Sequence, residues 1–192
     1  MERLKWLVLC FFIICLALMS EEEKGSKENL LKNPTFQDGF AGWQSWASSD
    51  TPPLAGLKID NKNGADDTMC VYMQGFSGAG CIYQCIQPVQ YGARYKLKFQ
   101  FKTEMKTGQA IGEIRYQTAK EINPALWYQT KDAKWSKSEP ISGTLTGWKT
   151  CEIEIVVPED QNIKAIVPFI SVTKQSPEDK FYIDAVEFYI VK

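Results

Sequence analysis

Between Tyr95 and Thr103 the chain alternates without a break. Tyr95, Leu97, Phe99 and Phe101 are apolar, and Lys96, Lys98, Gln100 and Lys102 between them are polar. Successive side chains on a strand point to opposite faces, so this period of two requires a strand packed on one face and wet on the other. Cys151, Ile153, Ile155 and Val157 alternate with Glu152 and Glu154 in the same manner. From Asn29 onward the chain is cut into short runs by Gly, Pro, Asn and Asp at intervals of about 8–15 residues. The runs predict strands at Met69–Gln74, Cys81–Gln87, Tyr95–Thr103, Gly112–Gln117, Trp148–Val157, Ala165–Val172 and Phe181–Val191. No amphipathic helix of useful length and no internal repeat interrupts them. The expectation is an all-β domain in which two antiparallel sheets pack face to face, a β-sandwich or jelly roll.

The N-terminus reads differently. Arg3 and Lys5 give a basic start, and Trp6 to Met19 is a continuous apolar run of 14 residues. A membrane-spanning helix needs roughly 20 apolar residues and a secretory signal core about 7–15. Residues 1–20 are therefore read as a signal helix, cut after Ser20, with retention as an N-terminal anchor as the alternative. Lipid attachment at Cys15 is disfavoured by the bulky Ile14 before it. Residues 21–28, EEEKGSKE, are charged and read as a solvated linker. Residues 29–192 then form one domain, long enough to bury a real core. A secreted, periplasmic or cell-surface location follows from the signal reading.

Composition narrows the chemistry. The chain has no histidine, which removes Ser-His and Cys-His nucleophile arrangements and the ordinary zinc sites. It carries 6 Trp, 8 Tyr and 10 Phe. A net charge of -1 gives no reason to expect nucleic acid or an anionic membrane as partner. After signal removal Cys70, Cys81, Cys85 and Cys151 remain. Two disulfides in any of three connectivities are open to an exported chain. A hairpin about the GFSGAG turn would set Cys70 opposite Cys85; zinc and free thiols are the rival readings.

Four motifs carry a resemblance. Asn29-Leu30-Leu31-Lys32-Asn33-Pro34-Thr35-Phe36, with Gly39 and Gly42-Trp43, opens the domain. Tyr83-Gln84-Cys85-Ile86 leads to Tyr91-Gly92 and Tyr95-Lys96-Leu97. Thr146-Gly147-Trp148-Lys149-Thr150 runs on to Pro158, and Phe181-Tyr182-Ile183-Asp184-Ala185-Val186-Glu187 closes the chain. In order and spacing these resemble the jelly-roll carbohydrate-binding modules of families 4, 9 and 22, a fold that also serves adhesins and spacers. The resemblance implies a structural Ca²⁺ near the junction of the first and last strands, with Asp184 and the Thr35 carbonyl as ligands. Gln37 and Ala185 stand where the family usually has acidic residues, which would weaken that site.

Sugar recognition needs a flat ring for the C–H face of the saccharide and planar polar groups for its hydroxyl rim. Trp43 and Trp148 fall in the fold motifs and are read as structural. Trp46, Trp127, Tyr128 and Trp135 lie in polar, loop-like stretches and are the candidate stacking rings. On the strand 112–117, Glu113, Arg115 and Gln117 share one face, the polar side of a ligand-lining strand. Tyr72 and Gln74 are candidates for the same cleft. Lys96, Lys98 and Lys102 make a basic row that would suit an acidic polysaccharide if it lined the cleft, and is otherwise a solubilising surface. The leading reading is a monomeric, non-catalytic domain that binds a polysaccharide or oligosaccharide. The alternatives are a surface adhesion domain with a protein partner and a polysaccharide-degrading enzyme. The last would need two carboxylates across a cleft, and only Glu113 sits on a candidate strand.

Overall fold

The computed structural model describes residues 28–48, 55–66, 68–117 and 135–191, with Gln117 and Trp135 described in backbone alone. The expected signal helix and linker, apart from Glu28, lie outside the described residues, as do Trp127 and Tyr128.

Among the described residues, ten strands form two five-stranded antiparallel sheets. They are β1 (Gln44–Ala47), β2 (Leu57–Asp60), β3 (Cys70–Gln74), β4 (Ala79–Tyr83), β5 (Arg94–Glu104), β6 (Gln109–Gln117), β7 (Trp135–Lys137), β8 (Thr144–Val156), β9 (Ala165–Thr173) and β10 (Lys180–Val191). The front sheet has the order β1-β4-β9-β6-β7 and the back sheet β2-β3-β10-β5-β8. All seven predicted strands are present. The short β1, β2 and β7 are additions, all three at sheet edges where no alternating run marks them.

The core lies between the sheets and follows the alternation. Tyr95, Leu97, Phe99 and Phe101 of β5 turn inward, as do Phe181, Ile183 and Phe188 of β10; Ile82, Ile114 and Ile170 come from the front sheet. Burying each such side chain contributes about 1.5–3 kcal/mol. Rings meet rings here: Tyr95 stacks on Phe188 at 5.5 Å and Phe101 on Phe181 at 5.8 Å. Gly112 is dictated by this packing, because a Cβ there would lie 2.6 Å from the Phe99 ring and 2.8 Å from Ile153.

The expected hairpin between residues 70–75 and 81–86 does not form. The GFSGAG turn carries the chain from the back sheet to the front sheet, so β3 pairs with β2 and β10 while β4 pairs with β1 and β9. Cys70 and Cys85 therefore never face each other. Cys70, Cys81, Cys85 and Cys151 are all free thiols. Burial pushes Cys70 and Cys81 up to about 12, and Cys85 and Cys151 up to about 11, so none is a thiolate near neutral pH.

Amide side chains from the motifs fasten the irregular opening segment to the sandwich. Asn29 Nδ2 donates to Val186 O at 3.0 Å, and its Oδ1 accepts from the amides of Leu31 and Phe188. Asn33 Nδ2 donates to Gly39 O and Ala41 O, while Trp43 Nε1 donates to Asn33 O at 3.0 Å. The Trp43 ring stacks on Phe36, fully buried, at 5.1 Å. Gln84 pairs with one residue twice: Lys32 N donates to its Oε1, and its Nε2 donates to Lys32 O at 2.7 Å.

At the opposite end, Asp179 clasps two turns. Its carboxylate accepts from the amides of Lys106, Thr107 and Ser176 and from the Thr107 hydroxyl. Desolvation pulls its pKa upward, but these donors outweigh it and hold the carboxyl well below the usual carboxylate range. A depressed pKa means stabilisation that is full above the unfolded value of about 3.9 and lost as pH falls through the folded value. Asp179→Ala is expected to lower unfolding stability by about 2–4 kcal/mol at neutral pH, because the Lys106 and Thr107 amides lose their acceptor and Ser176 N keeps only the Thr107 hydroxyl. In denaturant titrations the gap between wild type and variant should shrink below roughly pH 4; a constant gap would refute the ionised clasp.

Candidate functional site

Residues directly opposite in an antiparallel ladder share a face, so the register of the front sheet maps its outer surface in rows. Trp46, Cys81, Ser171 and Ile111 form one row, and Gln44, Tyr83, Phe169, Glu113 and Lys137 the next. Val167, Arg115 and Trp135 form a third, followed by Ala165 and Gln117. The structure thus brings Trp46, Glu113, Arg115, Gln117 and Trp135 to one face of one sheet. Sequence reasoning had scattered them over loops and a single strand.

At the centre of this face is an apolar floor. Cys81, Tyr83, Ala165, Val167 and Phe169 are buried together, with Cys85 half-buried against them. Tyr83 and Phe169 lie 6.3 Å apart, tilted by 30°. The Arg115 guanidinium lies over the Phe169 ring at 4.1 Å. Its Nε donates to Glu113 Oε2, and Nη2 rests against the same oxygen. A planar cation on an aromatic face, fixed by a neighbouring carboxylate, is a rigid polar platform. Trp46, on the edge strand β1, presents an exposed ring, 37% accessible.

Beside Gln44 the face runs into a cleft of about 370 Å³, lined by Lys32, Gln44, Gln84, Gln87, Cys85 and Leu30 among others. Planar amides dominate its polar side. Gln84 is held by Lys32, and Gln87 Nε2 donates to Lys164 O at 2.7 Å.

Sequence reasoning missed Gln44, Tyr83 and Phe169. Gln44 belongs to a four-residue strand without a pattern. Phe169 sits in AIVPFISV, a near-continuous apolar run typical of a strand packed on both faces, which hides which way each residue turns.

Other expectations land elsewhere. Tyr72 and Gln74 lie on the outer face of the back sheet, because β3 pairs with β10 there. The lysine row lies on that same outer face, away from the front sheet. Lys96 pairs with Glu152 and Glu154, and Lys98 with Glu187. Those two cations are neutralised in a cross-strand ladder and do not line the front face.

At the junction of opening segment and last strand, Asp184 is buried and Thr35 exposed. Asp184 Oδ2 accepts from the Ala65 amide at 2.8 Å and Oδ1 from its own neighbour Ala185. Burial pushes its pKa up against these amides, and Asp66 nearby adds to the rise. Among the described residues no group of three or more Asp, Glu, Cys or His converges as a metal site. Calcium takes about 6–8 oxygens, and the Asp184 carboxylate offered to it is already engaged by two amides.

Comparison with known proteins follows the same lines. A profile of the carbohydrate-binding domain family matches residues 28–177. No curated protein is similar enough to match. Among solved structures, TmCBM61 in complex with β-1,4-galactotriose is 18% identical, with a TM-score of 0.56 over 85% of this chain and 99% of that one. The CBM22-1–GH10 portion of a Clostridium thermocellum xylanase, complexed with xylohexaose, is 14% identical with a TM-score of 0.60, over 86% of this chain and 29% of that one. A cyclase from Fischerella sp. TAU is 10% identical with a TM-score of 0.56, over 86% and 98%. At these identities the likeness is one of fold, and the fold serves both binding and catalysis.

The Glu113–Arg115 pair can be weighed directly. Arg115→Ala leaves a nearly buried carboxylate without its guanidinium and should cost about 2–4 kcal/mol in thermal or denaturant unfolding. The double variant Glu113→Gln/Arg115→Met should recover a large part of that loss. Equal costs for the single and double variants would show that the pair does not act as a unit.

Proposed function

This chain belongs to the carbohydrate-binding domain family, and we propose that it binds a polysaccharide along the outer face of its front sheet. The observation that carries the reading is the convergence of an exposed indole, Trp46, with the guanidinium platform of Arg115 over Phe169 on one continuous surface. Trp46 stacks on the C–H face of a sugar ring. Arg115, oriented by Glu113, donates to ring hydroxyls, and the amides of Gln44 and Gln87 offer the same service at the adjoining cleft. Binding rather than turnover fits the carboxylate inventory: Glu113 is the one acid on the described front-sheet strands, and it is committed to Arg115. A glycosidase needs a second carboxyl about 5–9.5 Å away.

The polymers represented by the ligands of the structural neighbours, a β-1,4-galactan and a xylan, are the first probes. Export to the cell surface or medium accords with this reading, since such polymers are too large to meet the domain elsewhere.

Affinity electrophoresis through gels containing galactan or xylan should retard the wild type. Trp46→Ala should weaken retention about tenfold through loss of the stacking ring. Retention by neither polymer, together with tryptophan fluorescence unmoved by both, would overturn the proposal. So would a Trp46→Ala variant that binds as the wild type does.

A further inference from the structure

The outer face of the back sheet is divided into two unlike halves. In one half every cation has a carboxylate. Arg94 pairs with Glu154, Lys96 with Glu152 and Glu154, and Lys98 with Glu187. In the other half Lys102 lies on rings, Lys58 on an amide, and Lys180 reaches both a ring and Glu104. Lys58, Tyr72, Tyr182 and Lys102 stand opposite one another across β2, β3, β10 and β5. Lys102 Nζ sits 4.6 Å from the Tyr182 ring and 5.5 Å from the Trp148 ring of β8. Tyr72 and Tyr182 are 5.2 Å apart, and Lys180 Nζ lies 6.0 Å from the Tyr72 ring. With strands spaced about 4.8 Å apart, this row of five residues runs about 19 Å across the sheet.

The strip's charges are not matched by acids as its neighbours are. Lys58 Nζ donates to the neutral amide of Gln74 at 2.9 Å. Lys102 has no carboxylate in salt-bridge range among the described residues. The nearby acids are engaged. Glu104 accepts from Lys180 and from the Tyr182 hydroxyl, and Asp60 accepts from Lys62 and Asn63.

We propose that this strip is a second binding site, separate from the front face, for an acidic polysaccharide that carries uronate carboxylates. The ligand class follows from an exchange of partners. A uronate draws the ammonium groups of Lys102 and Lys58 off the rings and amide onto its carboxylates, which strengthens them as charge-assisted hydrogen bonds. The same movement uncovers the half-buried Trp148 ring for the sugar's C–H face. A neutral sugar offers the displaced lysines only hydroxyl oxygens, weaker acceptors than a carboxylate. Arrangement and charge therefore select against neutral glycans here, while the front face holds its cation on Glu113.

The test uses affinity electrophoresis of the full chain in polygalacturonate, in the same polymer fully methyl-esterified, and in β-1,4-galactan, with duplex DNA as a competitor. Polygalacturonate should retard the wild type, and the esterified polymer should not. Lys58→Gln/Lys102→Gln should bind polygalacturonate about tenfold more weakly, as should wild type when salt is raised from ~0.05 M to ~0.5 M. Trp46→Ala should leave polygalacturonate binding unchanged, so failure of the front-face reading and of this one are separable. A thermal melt like that of the wild type verifies that the double variant is folded, and Trp148→Ala gives an independent probe of the strip. Unchanged binding in both strip variants overturns the proposal. So does retention of esterified and free polymer alike, or displacement by DNA as effective as by free polygalacturonate.

Discussion

The Phe99 ring and the missing side chain of Gly112 face each other across the core. The fit is tight enough that any Cβ at position 112 would collide with Phe99 and Ile153. Sheets pack about 10 Å apart when their inner side chains interdigitate, and at this spot one ring spans the gap. The consequence reaches the outside of the molecule. Glu113 and Arg115 flank the inward-turned Ile114 on the same strand, so fixing the strand's inner face fixes the height and direction of both polar residues. The guanidinium can rest on Phe169 because β6 and β9 are held in register by a core that tolerates no slip.

The two outer faces solve the problem of a wet surface differently. The front face keeps an apolar floor and one internally satisfied ion pair, which gives a surface of shape and directed donors. The back face uses long lysines. Lys96, Lys98 and Lys180 are locked to glutamates, Lys58 rests on the Gln74 amide, and Lys102 is laid over Tyr182 and Trp148. A lysine stem covers apolar surface while its head stays hydrated, so Tyr182 can be nearly buried, at 5% exposure, on a face that is formally external. One sandwich thereby presents two surfaces of different chemistry to two different directions.

The sequence made two of the long strands plain, since β5 and β8 advertise their inner faces by alternation. It did not make the partners plain. Cys70 and Cys85 looked like cross-strand neighbours because residues close in sequence usually pair. In this topology the chain changes sheet at the intervening turn, and the same change carried Tyr72 and Gln74 to the back. Glu113, Arg115 and Trp46 were legible as polar or aromatic residues with no place in a core. That they converge was not, because convergence depends on β9 lying between β4 and β6, a fact no local pattern encodes. Asn29, Asn33 and Gln84 were visible as motif letters, and their work as clips for the opening segment emerged only with the backbone in place.

The unlinked sulfurs of Cys70, Cys81, Cys85 and Cys151 leave the described sandwich without a covalent cross-link between its strands. Rings and amide clips carry its cohesion instead, so a reductant removes none of the contacts that fasten the opening segment to the sheets.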